Sequence, residues 1–287
     1  MLHSPIHVGG GAEPSPIRLR VLSLGAGVQS TTLALMAAHG HFGSLDCAIF
    51  ADTGWEPASV YQHLRWLMSP NVLPFPVHIV SALNLRESLI AAGEGKRWAS
   101  IPAFTRTVDR RGNISIGMIR RQCTTTSKID PIRRKVRELA GLTRKRSPTY
   151  PVVHQWLGIS MDEAVRMKPS RAAWQLNRFP LIESRMTRKD CLEWLKSHGY
   201  PTPPKSACIG CPYHSDAIWR SMRNNDRAAW DDAVEVDQAI RTGLRGIRGE
   251  VFLHRSGVPL EEVDLSTAAD HGQLDLWPNE CEGMCGL

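Results

Sequence analysis

The chain has 287 residues, 42% hydrophobic and 22% charged, with a formal net charge of +7. That composition excludes collagen-like, coiled-coil and largely disordered chains, and the length is enough for a large α/β domain with an appendage. No run of about 18 apolar residues is present, so no membrane span is expected. Residues 1–17 are rich in Gly, Pro, Ser and His and lack an apolar stretch. They read as a flexible N-terminal arm with no secretory signal, which makes a cytoplasmic protein the expectation.

Strand-like and helix-like segments alternate through the first half. Arg18–Leu24 is a β-rich run ending in glycines, and Gln29–Ala38 holds good helix formers. Cys47–Ala51 is a second apolar run, and Pro57–Leu67 a helix with Pro in its first turn. Val77–Val80 and Leu85–Ala92 repeat the pattern, and Val152–Leu157 is a fourth strand. Such alternation implies a parallel sheet with helices on its faces, and ligands at the carboxyl ends of the strands. The polar turns after residues 24, 51 and 157 are therefore expected to converge.

The second half reads as helical over 162–167, 187–198, 215–225 and 227–242, with a loop-like tail from about Gly257. Thr187 and Asp190 have the spacing of an approximate capping box. A boundary near Phe179 separates a nucleotide-binding domain, 18–178, from a helical C-terminal region, 179–287.

Charge and cysteine are both clustered. Residues 106–146 hold thirteen Lys/Arg against three Asp/Glu, a local +10, which suits DNA, tRNA or a polyphosphate, or else a solvated basic face. The seven cysteines are odd in number and sit in a large chain without a leader, so metal or redox roles outrank a disulfide framework. Cys208 and Cys211 form a C-x-x-C, and Cys281 and Cys285 a second close pair. Cys123 lies in a basic stretch, Arg120 to Lys128. Cys47 and Cys191 stand in apolar surroundings and read as core.

The first strand ends in Ser23-Leu-Gly-Ala-Gly-Val-Gln-Ser30, followed by Thr31 and Thr32. Small residues leading into a helix let backbone amides approach phosphate, and the three hydroxyls of Ser30, Thr31 and Thr32 are candidate donors. Asp52, Thr53 and Gly54 follow the second strand. Asp162 and Glu163 are candidate Mg²⁺ ligands or first-turn acids, and Arg166 is a phosphate clamp or an Asp162 partner. His214 is a donor to sulfur or a helix cap. His254 and Arg255 are weak anion-contact candidates, and Trp98, Trp219 and Trp230 are core residues or base-stacking platforms.

Gly25, Ala26, Gly27, Val28, Gln29 and Ser30 resemble the PP-loop of the N-type ATP pyrophosphatases, Ser-Gly-Gly-x-Asp-Ser, departing from it at Gly25, Ala26 and Gln29. Ile49–Glu56 is similar to the Asp-Thr-Gly motif of the phosphoadenylyl-sulfate (PAPS) reductase-like family. Gly158–Arg166 resembles its Gly-x-Arg-x-x-Glu-Ser-x-x-Arg segment, with Ser160 in place of the first Arg. Phe179–Leu181, the helix around Trp194 and Pro203–Cys211 resemble its C-terminal pattern. Together these span about residues 18–215.

The resemblance implies an adenine-nucleotide α-hydrolase-like, Rossmann-like doubly wound parallel sheet with a helical, metal-binding C-terminal part. It implies ATP or another adenine nucleotide at Ser23, Gly25, Ala26, Gly27, Gln29, Ser30, Thr31, Asp52, Thr53, Gly54 and Ser160. Catalysis falls to Asp162 and Arg166, with Asp162 and Glu163 the candidate Mg²⁺ ligands. The stretch around Cys123 looks like the paired-cysteine segment of iron–sulfur sulfonucleotide reductases, with Gln122 at the other cysteine's place. A [4Fe–4S] cluster is then expected on four of Cys123, Cys208, Cys211, Cys281 and Cys285. Zinc on 208, 211, 281 and 285 is the rival. The expected activity is ATP-dependent adenylylation of an acceptor, nucleic acid included, for sulfur transfer from a sulfur or electron donor protein. A sulfonucleotide reductase and a non-catalytic zinc-stapled binding module are the alternatives.

Overall fold

The structure, a computed structural model, describes residues 17–96, 98, 100–144, 146–266 and 270. In chain order the first elements are β1 (Leu19–Leu24), α1 (Val28–Ala38), β2 (Cys47–Asp52), α2 (Ala58–Leu67), β3 (Val77–Ser81) and α3 (Leu85–Gly93). There follow β4 (Phe104–Val108), β5 (Ile114–Met118), a π-helix (Thr124–Ile129), α4 (Asp130–Leu139), β6 (Val153–Leu157) and a 3₁₀ turn (Met161–Arg166). The remainder is β7 (Gln175–Arg178), α5 (Pro180–Glu183), α6 (Arg188–Ser197), α7 (Asp216–Asn225), α8 (Arg227–Ala239), β8 (Glu250–Phe252) and a short 3₁₀ turn (Leu260–Glu262).

Two compact units interleave along the sequence. Among the described residues the first contains 17–50, 59–80 and 132–205, and the second 51–58, 81–131 and those from 206 onward. Phe179 lies within the first.

The first unit is built on a five-stranded sheet in the order β3-β2-β1-β6-β7. β1 pairs in parallel with β2 and with β6, and β6 in parallel with β7. The period of two along β1 sends Leu22 and Leu24 into a cluster with α1, α2 and α6, and Leu19 and Val21 into a cluster with Val136 and Ala140. Both faces are thus covered, as a doubly wound sheet requires. The strand order reverses between β1 and β6, so the carboxyl ends of those two strands form the crevice position. α6 starts at Thr187, whose hydroxyl and the Asp190 carboxylate form the reciprocal capping box that their spacing foretells. β7 is absent from the sequence reading, because Gln-Leu-Asn-Arg on an edge strand carries no apolar run.

His63 on α2 is buried among these helices and its Nε2 lies 3.0 Å from Thr31 Oγ1. Burial pushes its pKa down to about 4. An unfolded histidine protonates near pH 6.5. The stabilisation from this group is therefore complete above that pH and is lost as pH falls from about 6.5 towards 4, at most about 3 kcal/mol. We expect wild type to lose more thermal stability between pH 7 and 4.5 than His63→Gln does. Parallel slopes of melting temperature against pH would refute the assignment.

The second unit holds α3, α7 and α8 and an antiparallel sheet in the order β5-β4-β8. Its core gathers Leu85, Leu89, Trp219, Trp230, Val236 and Phe252's neighbours Val251 and Leu253. Asp237, 1% exposed, accepts from the amides of Leu253 and Leu260 and pairs with Arg241, tying α8 to the chain after β8. The C-terminal region is accordingly not helical throughout: β8 pairs with β4 in a register that reaches only Phe104–Arg106. The tail beyond Gly257 also contributes buried Leu260, Val263 and Leu265. The expected N-terminal arm and the Cys281/Cys285 pair lie outside the described residues.

Candidate functional site

In the first unit, the crevice position is occupied by the glycine turn. Ala26 takes a left-handed conformation, φ 56°, at a position where the resembled loop has Gly; a methyl is the smallest side chain that such backbone must accommodate. Gly27 is the N-cap of α1 and offers no side-chain cap, and no acidic residue enters the first turn. The N-terminal amides and the helix dipole therefore form an anion-receptive end. The Gly25 amide donates to Ser30 Oγ, 3.1 Å, and Ser30 donates in turn to the Gly27 carbonyl, 3.3 Å, closing the turn on itself. Thr31 and Thr32 are fully buried, with hydroxyls on His63 and on the Val28 carbonyl. The hydroxyls thus organise the turn, and its backbone amides are the groups best placed for phosphate.

The segment after β6 meets this turn. A Cβ on Gly158 would stand 2.8 Å from Ser30 Cα and N, so only glycine lets the two backbones approach. Gln29 Nε2 donates to Ser160 Oγ at 3.4 Å and to Glu163 Oε2 at 3.2 Å, and Glu163 Oε1 pairs with Arg166 at 2.5 Å. Gln29 and Ser160, the two positions that depart from the resembled Asp and Arg, thus meet as a neutral pair. Asp162 accepts from the Arg188 amide at 3.0 Å rather than from Arg166, and Ser23 accepts from Gln155 at 2.6 Å. The expected helix here is the 3₁₀ turn Met161–Arg166, with Ser160 as its N-cap.

The second unit brings the other motifs together. Asp52 Oδ1 accepts from the Gly54 amide, 2.8 Å, in an Asx turn with Gly54 at φ 70°. Thr53 Oγ1 lies 3.4 Å from Cys208 Sγ and donates to Glu56 Oε1 at 3.1 Å. Cys208 Sγ is 3.7 Å from the same Glu56 oxygen, and Lys128 Nζ is 3.3 Å from it. The Glu56 side chain is 1% exposed. Its Oε2 is buried without a hydrogen-bond partner among the described residues. The Ile209 amide donates to the Trp55 carbonyl at 2.9 Å, which docks the C-x-x-C on the Asp-Thr-Gly-Trp-Glu turn. Gly210 lies against the Trp55 ring so closely that a Cβ would fall 2.0 Å from Cη2.

Cys123, Cys208 and Cys211 line one recess, with Arg121, Lys128 and Tyr213 also in its wall. Cys123 is the N-cap of the π-helix, a wide-turned element that recurs at functional sites. His214 places Nε2 3.0 and 3.1 Å from the carbonyls of Cys208 and Ile209, so it donates to the backbone of the C-x-x-C turn. His254 and Arg255 both pair with Asp216, and Trp219 and Trp230 are buried core, so neither set is offered to a ligand. Cys47 and Cys191 are buried as expected, and burial pushes their thiols up to about 11 and about 12. Glu56 is the functional candidate that spacing missed; it stood within the quoted motif, but only its approach to Cys208 across 152 residues gives it a role.

Among the described residues no group of three or more His, Cys, Asp or Glu side chains is arranged as a ready metal site. Three thiols beside Lys128 and Arg121 suit an anionic thiolate-bound group in donor chemistry. The described residues alone do not complete it.

The class defined so far is an α/β protein with a glycine turn at the switch point of its parallel sheet, joined in one chain to a unit bearing a three-cysteine recess. No family model matches the sequence, and no curated protein matches it. A solved structure of phosphoadenylyl-sulfate (PAPS) reductase from Candida auris, a phosphate complex, is similar with a TM-score of 0.39 and 11% identity, covering 65% of this chain and 76% of that one. No helix among the described residues is long and apolar enough to cross a membrane.

Proposed function

We propose that the chain is an ATP-dependent enzyme that adenylylates an acceptor, nucleic acid included, and passes sulfur to it. The observation that carries this reading is the recess in which Cys123, Cys208 and Cys211 meet Thr53 and Lys128. The uncapped start of α1 at the glycine turn, with no acidic residue in its first turn, supports the other half.

In the first step an acceptor oxygen attacks the α-phosphorus, and the bond to the pyrophosphate oxygen breaks. The α1 amides bear the growing charge, and Arg166 is the nearby cation. Asp162 and Glu163 are the candidate Mg²⁺ ligands. In the second step a sulfide-level sulfur from the donor protein forms a bond to the acceptor carbon, and the carbon–oxygen bond to AMP breaks without net oxidation. Lys128 and Arg121 favour anionic sulfur in the recess. A [4Fe–4S] cluster held by Cys123, Cys208, Cys211 and one of Cys281 or Cys285 would supply a binding point for sulfur; Cys₄ zinc would serve only as a staple.

The test uses anaerobically purified protein, ATP, Mg²⁺ and candidate acceptors. AMP and pyrophosphate released in equal amounts, only when acceptor is present, support the reading. Sulfite release from phosphoadenylyl-sulfate without ATP turnover would replace it with a reductase. Neither activity, with one zinc per colourless chain, would leave a binding module. Under the proposal Cys208→Ser lowers sulfur incorporation at least about 100-fold, because the sulfur-binding group that Cys208 helps to hold would be misplaced. ATP binding should stay within about twofold, measured by equilibrium dialysis.

A further inference from the structure

The β4–β5 hairpin has an end that the sheet does not use. β8 pairs with β4 only as far as Arg106, so Thr107 to Ser115 form a ribbon two strands wide. Val108 and Ile114 are opposite each other at its tip, 61% and 65% exposed. The other large side chains of β5 are less exposed: Ile116 lies beside Gly257, and Met118 beside Tyr213. The intervening turn is fixed by Asp109, which accepts from the Arg111 amide at 2.7 Å and from the Asn113 amide at 2.9 Å. It also takes the Asn113 side-chain amide at 2.8 Å. Gly112 supplies the positive φ, 82°.

Arg110 and Arg111 occupy this turn, both exposed, and among the described residues their side chains make no ion pair. The other arginine of the ribbon's base, Arg106, is engaged by Glu250 and packs on Phe252. An exposed apolar rung directly behind a turn that carries two adjacent exposed cations matches one chemistry well: a polyanion with a hydrophobic interior reachable through a narrow cleft.

We propose that this tip is a duplex-DNA contact: Val108 and Ile114 wedge against a base step in the minor groove while Arg110 and Arg111 neutralise the flanking phosphates. Minor-groove proteins pair apolar wedges with arginines in this way. B-form DNA is favoured over A-form RNA, whose minor groove is shallow and gives a wedge no walls. An apolar protein surface is disfavoured by two arginines whose burial there would leave them unpaired. The proposal rests on the reading of the acceptor as nucleic acid and narrows it to duplex DNA.

The full chain is titrated against a fluorescent DNA duplex of about 30 base pairs carrying 2-aminopurine, and against an RNA duplex, over a range of salt. Arg110→Ala with Arg111→Ala should weaken DNA binding about 10- to 100-fold near 0.1 M salt. It should also flatten the slope of log K against log salt by about 1.8, from two lost phosphate contacts. Val108→Ser with Ile114→Ser should keep the slope and lose the 2-aminopurine signal of unstacking. Unchanged affinity and slope in the arginine variant, or an equal loss on RNA, overturns the proposal. AMP formation from ATP is followed on the same samples. Loss of the hairpin effect with AMP formation intact sinks the hairpin alone. Absence of AMP formation with hairpin-dependent DNA binding sinks the enzymatic reading alone.

Discussion

Gly158→Val is expected to reduce acceptor-dependent AMP formation by about 100-fold or more. The substituted Cβ would meet Ser30 Cα and N at 2.8 Å and the Gln29 carbonyl carbon at 3.1 Å. These are backbone atoms of the α1 N-terminus, so no rotamer change can relieve the clash. The glycine turn must move, and a misplacement near 1 Å at a reacting centre costs on the order of 100-fold. The overpacking itself should destabilise the fold by about 1–3 kcal/mol. Gly199→Ala is the comparator. Gly199 has φ 71° but nothing within 4 Å of its Cβ, so that variant should lose stability without losing ATP affinity. ATP binding by equilibrium dialysis and thermal melting separate the two effects. Wild-type ATP affinity in Gly158→Val would refute phosphate binding at this turn.

The second large effect is expected at Gly210. An alanine Cβ there would overlap Trp55 at 2.0 Å from Cη2 and 2.6 Å from Cζ2. Trp55 cannot swing aside. It is 2% exposed, and its indole nitrogen donates to Asp232, which also pairs with Arg86. Gly210→Ala should therefore cost about 3 kcal/mol, at the upper end for overpacking, and lower the melting temperature by roughly 6–12 °C. Trp55→Phe removes the far edge of the ring. Combined with Gly210→Ala, it should lose less than the sum of the single variants, because the two residues share one contact. Strict additivity in the double variant would show that the ring and the C-x-x-C turn are not packed together.

Gln29 and Ser160 are coupled directly to each other. Read separately, each is a defect in a motif: one lacks a carboxylate, the other a guanidinium. Together they make a hydrogen bond across 131 residues, and Glu163 with Arg166 supplies the charged pair alongside.

Much of the first unit was legible in the sequence. Val28–Ala38 and Ala58–Leu67 differ by a residue from the helices read off propensity and Pro placement, and the four strand runs around 19–24, 47–52, 77–81 and 153–157 are all found. The Thr187/Asp190 capping box is also there. These features are local: periodicity, capping and turn chemistry act within a few residues, so the linear order carries them. Edge strands such as β7, and the β4, β5 and β8 set, were not legible. Their side chains are mixed or exposed, and pairing decides whether they form strands at all, for β8 with a partner more than 140 residues away.

The site divides in the same way. Residue types and spacing were enough to single out the glycine turn, the Asp52–Gly54 turn and the cysteines. Only the tertiary structure decided that Thr53 and Glu56 stand at Cys208, that Cys123 shares its recess, and that His214 serves backbone carbonyls. The physical reason is that hydrogen bonds and packing between distant segments depend on how the chain closes its core. That closure is a collective outcome of many buried side chains, and no single motif encodes it.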